Sequence, residues 1–421
     1  MPPLHILITG AGIAGTALAY WLSKLGHAVT VIERAPELRA SGLQVDLRGP
    51  GIQVIRRMGL EEAFRKHAVA EEGLRLVDGR GKSWGYFSAN RSGQGLQSFT
   101  TDWEIMRGDL CKMLANACAE RVKFVFGVQV MEVREVVDGV EVEFSDGAMD
   151  RFDLVVGADG LWSKTRRMML GADGDENPGY NSIGVFAGYC TIPNEIKKDE
   201  RYDATAFITT GSRGIMIRRH DPRKIQAYVM CDSRASGRLR KSTRGDIEEE
   251  KRALADVFRG AGWKCDEILA GLVESDDLYC ERMGLVKINE WSCGRIALVG
   301  DAAYCPSAMT GMGTTCGIVG PYILAGEIDK HCRTTASKET IRNALEAYER
   351  KLRPYMDQIQ KGLTDSDHYM DKFPSSSFGI GALYFVFWIA TVLRLDIIAQ
   401  WMLREKTDGW ELPEYPEMDV L

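Results

Sequence analysis

The chain has 421 residues, of which 45% are hydrophobic and 27% charged, and its formal net charge is −6. That length supports a large core and two lobes, and the acidic balance excludes nucleic acid as a default partner. The ten cysteines include no C-x-x-C pair and no Cys/His set at zinc spacing. No metal site is therefore expected, and the thiols read as reduced residues of a cytoplasmic chain. No basic segment precedes the N-terminal apolar run, and cleavage there would remove the first glycine motif, so no secretory signal is expected.

Leu4-His5-Ile6-Leu7-Ile8-Thr9 reads as a buried parallel strand. Gly10-Ala11-Gly12-Ile13-Ala14-Gly15 follows at once, and a helical pattern then runs to near Gly26. In this strand–turn–helix setting Gly10 permits the tight turn, Gly12 admits a pyrophosphate and Gly15 lets the helix pack on the strand. The helix start supplies N–H donors and the positive end of its dipole to phosphate. Val29-Thr30-Val31-Ile32 is the next strand, ending at Glu33, with Arg34 beside it. A carboxylate there accepts both hydroxyls of an adenosine ribose and repels a 2′-phosphate, which favours FAD or NAD over NADP at this site.

Further along, Asp153–Gly157 is again a strand entering a turn, Gly157-Ala158-Asp159-Gly160, and Ser163 and Arg166 follow. After the loop at Asn177-Pro178-Gly179-Tyr180 the pattern alternates. Strands are predicted at Ile183–Cys190, Ala204–Thr209, Gly214–Arg219 and Ile225–Cys231, the last two joined by the turn Asp221-Pro222-Arg223-Lys224. Alternation puts Gln226, Tyr228 and Met230 on one strand face and Ala227 and Val229 on the other; Met216 and Arg218 oppose Ile215 and Ile217. Phe186 and Tyr228 are candidates for stacking on a planar substrate, Met230 for lining its pocket, and Arg213 for binding an acidic or phenolate group. The plainer reading of each is core packing. Asp232–Arg252 is charge-rich and reads as a solvated loop and helix.

Arg295–Asp301 is a third strand, ending in Gly300-Asp301. A helix follows Gly311-Met312-Gly313-Thr314 and carries Pro321 inside it. Near the C-terminus, Phe378–Leu393 holds sixteen residues without a charge, and Ile397–Leu403 is apolar again. Sixteen residues fall short of the ~20 that span a bilayer. A helix packed across both lobes and covering the substrate cavity is favoured on length over contact with a membrane surface.

The three glycine motifs in this order resemble those of the class A flavin monooxygenases, the para-hydroxybenzoate hydroxylase group, up to about Lys330. Stretches such as Val45-Asp46-Leu47-Arg48-Gly49 resemble the tetracycline-destructase and fungal secondary-metabolite branches. The resemblance implies an α/β fold: a Rossmann-like FAD-binding domain of interleaved segments (1–175 and 280–335), an inserted β-sheet substrate domain (176–279) and C-terminal helices (336–421). It implies bound FAD, with Asp301 on the ribityl chain and Gly311, Met312, Gly313 and Thr314 bringing a helix start to the isoalloxazine. Asp46 and Arg107 match cofactor contacts, and Asp159 and Arg166 match a motif associated with both FAD and NAD(P)H. Arg107 and Arg48 are suited to offset phosphate charge. The implied reaction takes NADPH or NADH transiently, captures O2 as a flavin C4a-hydroperoxide and inserts one oxygen, most simply by hydroxylation, into an aromatic or polyketide-like small molecule. Two alternatives stay open: an FAD-dependent reductase or oxidase of a lipid or prenyl chain, and a non-catalytic FAD-binding protein. One departure stands out, since Tyr304 replaces the histidine usual after the Gly-Asp motif; it is read as a packing residue.

Overall fold

In the computed structural model, residues 3–38, 42–89, 101–172, 174, 176–363, 369–393 and 409–419 are described. Six strands form the first sheet, in the order Ser292–Cys293, Ile296–Leu298, Leu154–Gly157, His5–Thr9, Ala28–Glu33 and Val122–Phe126. All neighbours are parallel except the edge strand Ser292–Cys293. Burial on both faces explains the continuous apolar run at the N-terminus. Ile6 and Ile8 point into a core shared with the helices Ile13–Lys24 and Gly313–Cys332. Leu7 points the other way, against Val140, Val142 and Phe152 of a small three-stranded sheet. Helix Gly313–Cys332 continues through Pro321 and is buried along most of its length.

The second sheet has seven strands, in the order Tyr279–Val286, Tyr180–Pro193, Lys224–Asp232, Arg213–Asp221, Asp203–Thr209, Gly73–Val77 and Ser83–Ser88. The four strands read from the alternating pattern are all present, and the turn between the last two closes at the Asp221–Lys224 pair, where Arg223 N donates to Asp221 Oδ1 at 2.8 Å. The sheet reaches past residues 176–279 on both sides: it takes in Gly73–Val77 and Ser83–Ser88 from upstream and ends on Tyr279–Val286.

The two faces of this sheet have different partners. Phe186, Ile215, Ala227 and Val229 pack under the helices Ile247–Phe258 and Cys265–Glu274. Val185, Ala187, Tyr189, Tyr228, Met216 and Met230 share the opposite face, where Leu43 and Met309 from the first lobe and Met370 from the C-terminal region meet them.

The apolar C-terminal segment forms the helix Ser377–Val392, and among the described residues it packs on one lobe instead of across both. Its Ile380, Tyr384 and Phe387 pack at the outer edge of the seven-stranded sheet against Leu76, Trp84, Ala206 and Ile208. Tyr384 Oη pins it there, donating to Val77 O at 2.7 Å and accepting from Ile208 N at 3.2 Å. What lies over Tyr189 and Tyr228 from the C-terminal region is the short turn Tyr369–Lys372 instead. Phe378, Phe385, Val386, Trp388, Val392 and Leu393 stay exposed on the helix. Among the described residues no helix is long and apolar enough to cross a membrane; the apolar stretch Ile397–Leu403 lies outside them.

Candidate cofactor and substrate cleft

The three glycine turns lie side by side because their strands are neighbours in one parallel sheet. Ala158 N donates to Thr9 O, and Val299 N to Gly157 O, each at 2.9 Å. Absent side chains set the spacing. A Cβ on Gly10 would lie 2.7 Å from Ala158 O, one on Gly15 would lie 1.9 Å from Gly10 O, and one on Gly300 would lie 2.7 Å from the Ala14 methyl. Gly10 and Gly300 also hold positive φ, 103° and 67°, which other residues rarely adopt. Gly12 and Gly313 face open space where a side chain would stand, and no side chain caps either helix that starts there. Two helix starts thus present N–H groups to one crevice at the carboxyl ends of the strands, the place where open α/β sheets bind ligands.

Glu33 is held in place at the rim. Its two oxygens accept from Ala11 N and Ala35 N, both at 3.0 Å, which leaves acceptor sites on each oxygen for ribose hydroxyls. Arg34, next to it, is exposed.

The Asp159–Arg166 motif is folded in on itself. Asp159 accepts from Ser163 Oγ at 2.5 Å, and from Thr165 N at 2.9 Å and Thr165 Oγ1 at 3.0 Å. Arg166 is fully buried; it donates to Ala302 O and to Leu161 O at 2.7 Å each, and to Asn177 Oδ1. Burial lowers its pKa to about 10, still far above neutrality, so the guanidinium is charged. These bonds tie the second motif to the residue after Asp301. Arg166 Nε alone is left without a partner, and Asp159 Oδ1 keeps acceptor capacity beyond its bond from Ser163.

On the other side of the crevice, Arg48 Nε donates to Asp46 Oδ2 at 2.5 Å, and Arg48 N donates to Thr315 Oγ1 at 2.9 Å. The Arg48 guanidinium borders Gly311, where a Cβ would stand 3.6 Å from Nη2. Gly311 takes the left-handed conformation (φ 65°), Met312 precedes the helix, and Gly313 and Thr314 open it. Arg107 starts the helix Arg107–Asn116 and lies against Gly42. Asp301 faces it: burial raises the Asp301 pKa, and the Arg107 charge opposes that rise. Tyr304 is buried against Trp291, with ring centroids 4.6 Å apart, and its hydroxyl shares a 3.2 Å hydrogen bond with Tyr348. It packs, as read.

The sheet face toward this crevice is an apolar floor between two charged ends. Tyr189 and Tyr228 meet edge to face at 5.4 Å, flanked by Met216 and Met230. At one end Arg218 binds both Glu71 and Glu104, with Gln44 also on Glu104. Burial raises the Glu104 pKa against the pull of Arg218. At the other end Glu281, Arg107 and Asp301 interact. Two expected pocket residues are elsewhere. Phe186 packs on the opposite face under the helices, because it is residue 187, not 186, that is opposite Met230 in the register. Arg213 also belongs to that other side, where it donates to Thr210 O at 2.9 Å and to Val257 O. Tyr228 and Met230 are on the floor as expected, whereas Tyr189, Glu281 and the Arg218 cluster were not singled out from sequence.

Residues 4–362 match the family model described as FAD binding domain. The chain belongs to this family. Over 99% of both chains it is 44% identical to a protein of Sarocladium schorii described as FAD-dependent monooxygenase asL4. It is 38% identical, over 90% of both chains, to the flavin-dependent monooxygenase eupH of a Phoma species. Among solved structures it resembles tetracycline destructase Tet(55), with a TM-score of 0.79 and 28% identity over 99% of this chain and all of that one. The protein is an FAD-dependent monooxygenase.

The residues fit the FAD that such a monooxygenase holds. Gly12 leaves open space for the pyrophosphate, while Gly10, Ala14 and Gly15 close the turn tightly behind it. Glu33 has spare acceptor sites, and Arg107 and Asp301 stand at the starts of the helices Arg107–Asn116 and Asp301–Tyr304. Among the described residues no three His, Cys, Asp or Glu side chains cluster as metal ligands.

Proposed function

We propose that this monooxygenase uses NADPH or NADH and O2 to insert one oxygen atom into an aromatic or polyketide-like small molecule, with hydroxylation as the outcome. The observation that carries the reading is the apolar floor of Tyr189, Tyr228, Met216 and Met230, set opposite Leu43 and Met309 of the cofactor segments. Flat rings and thioethers suit a planar, hydrophobic substrate. Likeness to tetracycline destructase Tet(55) supports a cleft suited to a polycyclic one.

Bound FAD, once reduced, supplies the O2 activation and the electrophilic oxygen. The chain's own residues do the rest. Gly10, Gly12, Ala14 and Gly15 admit the pyrophosphate, and Glu33 receives the ribose. Asp301 and Arg107 orient the ribityl and phosphate portion, while Asp46, Arg48 and the segment Gly311–Thr314 border the ring. Asp159 and Arg166 act on the cofactor through the backbone they hold. Tyr228 and Met230 shape the substrate side and keep water out. The substrate domain is built around residues 176–279, with Gly73–Val77, Ser83–Ser88 and Tyr279–Val286 completing its sheet, and ten free cysteines support a cytoplasmic setting.

The test is direct. The purified protein should be yellow, oxidise NADPH or NADH, and add sixteen mass units to a hydroxyarene from a panel running from resorcinol to polycyclic phenols. Asp301→Ala should purify with much less flavin, since the bound hydroxyls lose their acceptor. Full yellow occupancy in that variant overturns the assignment of Asp301. Absence of any mass gain across the panel overturns the substrate class.

A further inference from the structure

Strand Tyr279–Val286 edges the second sheet, and its residues alternate between the two faces. Glu281 pairs with Ala187 in the register, and Tyr279 pairs with Tyr189. Ala187 belongs to the floor, so Glu281 opens on the cleft beside a residue with only a methyl. Arg282, its neighbour, turns to the other face and donates to Ser242 O. The register sets the Glu281 carboxyl diagonal to Tyr189 on the same face, where the Tyr189 hydroxyl favours its charged form, and Tyr189 in turn meets Tyr228 edge to face and stacks on Tyr279 at 6.3 Å.

Groups from every neighbouring element bear on this carboxyl. Asp301, after the third strand of the first lobe, repels its charge, and Arg107, from the first lobe's helix start, attracts it. Cys305 lies close enough to feel it. Tyr189 is on the adjacent strand and Tyr279 on its own. Glu281 therefore stands where the flavin-binding pair Arg107 and Asp301 meets the aromatic floor.

We propose that Glu281 is the proton acceptor for a hydroxyl group of the substrate, with Tyr189 holding its carboxylate in position. This rests on the hydroxyarene reading above. The substrate O–H bond breaks and a carboxyl O–H bond forms on Glu281. The freed oxygen electron pair moves into the ring, and the enriched ring carbon takes the electrophilic oxygen, as hydroxyl, that the monooxygenase reaction supplies; that carbon then loses its hydrogen as a proton to solvent, and the original substrate oxygen regains one, which restores the aromatic ring. Glu281 then returns its proton to water. Burial, reinforced by Asp301, pushes the Glu281 pKa up to about 7, which matches a base working near neutral pH.

The first arm needs no substrate. The flavin spectrum of the holoenzyme is titrated from acid to alkaline pH. A one-proton transition near 7 is expected in the unaltered protein and is absent in Glu281→Gln. In Tyr189→Phe, which removes a hydroxyl that favours the charged carboxylate, the transition moves to higher pH. A transition that survives in Glu281→Gln, or that does not occur in the unaltered protein, overturns the proposal. The second arm is turnover of resorcinol, or of the panel member on which mass gain is found. Glu281→Gln should lose about a hundredfold or more in kcat/KM, and the loss should shrink as rising pH ionises the substrate itself. A loss that is the same at every pH marks a packing role and overturns the base. If Glu281→Gln does not fold, Tyr189→Phe decides: its acid limb in kcat/KM must shift upward with the spectral transition. If no hydroxyarene is turned over, the substrate class fails and the base role with it, while the spectral titration still reads whether Glu281 ionises beside the flavin.

Discussion

Arg166 separates two accounts of the second glycine motif. If the arginine serves the fold, Arg166→Met takes the donor from three acceptors, Ala302 O, Leu161 O and Asn177 Oδ1, of which Leu161 O keeps only a 3.4 Å bond from Asn177 Nδ2. Each such loss costs about 1–3 kcal/mol. The three share one side chain and are not additive, and removing the charge also relieves its own burial cost. A net loss of about 3–5 kcal/mol follows. With 421 residues and an unfolding entropy of about 2 cal/mol/K per residue, that lowers Tm by roughly 3–6 °C. The assay is thermal unfolding followed by circular dichroism and by flavin release, with Arg166→Lys as a second variant that keeps the charge but not the forked geometry. Both variants should unfold earlier and shed FAD earlier. A variant with unchanged Tm and an NAD(P)H KM raised tenfold would refute the reasoning and give Arg166 to the nicotinamide.

Other outcomes follow from the same structure. Gly15→Ala puts a methyl 1.9 Å from Gly10 O, so the phosphate turn cannot close; the protein should purify colourless, and a yellow variant with ordinary FAD affinity contradicts the turn. Met230→Ala should change turnover or substrate preference with little loss of FAD, whereas Phe186→Ala should cost about 3–5 kcal/mol of stability and leave the preference alone; the reverse pattern in urea midpoints and kinetics would mean that the sheet faces are swapped. His27 is buried, its Nδ1 accepts from Leu4 N at 3.2 Å, and burial lowers its pKa to about 4 from 6.5. The unfolded chain therefore binds this proton more readily, so the contribution is complete above pH 6.5 and is lost as pH falls toward 4. It amounts to on the order of 3 kcal/mol. His27→Gln, which keeps an acceptor for Leu4 N, should flatten the fall in urea midpoint between pH 6.5 and 4, and an unchanged acid slope would place the effect elsewhere.

The cofactor side of the cleft was legible because its signals are local. A strand, a glycine turn and a helix start within fifteen residues announce themselves, and three such units in order imply one sheet. The substrate side was half legible. Alternation within a strand correctly grouped Tyr228 with Met230, and Ile215 with Ile217. It says nothing about phase between strands. That phase is set by cross-strand register, which pairs Tyr189 with Tyr228 and sends Phe186 to the far face, so Phe186 and Tyr228, both read as stacking on one planar substrate, lie on opposite sides of one sheet. Glu281 escaped for a related reason. Its strand begins at the point where the sequence was divided between lobes, and only pairing with Tyr180–Pro193 puts its carboxyl on the floor. The parallel contact of Gly73–Val77 with Asp203–Thr209 joins segments ~130 residues apart and left no local mark.

The ion cluster of Arg218, Glu71 and Glu104 fastens one lobe to the other at a dry seam. Prising that seam apart would strand a buried charge, at about 3–5 kcal/mol, so the lobes are poorly placed to swing like jaws. Admission of a bulky guest must instead come from displacement of the small parts roofing the floor, among them Leu43, Met309 and Met370. The gate is then made of single side chains and short turns, and its width is tunable without touching either sheet.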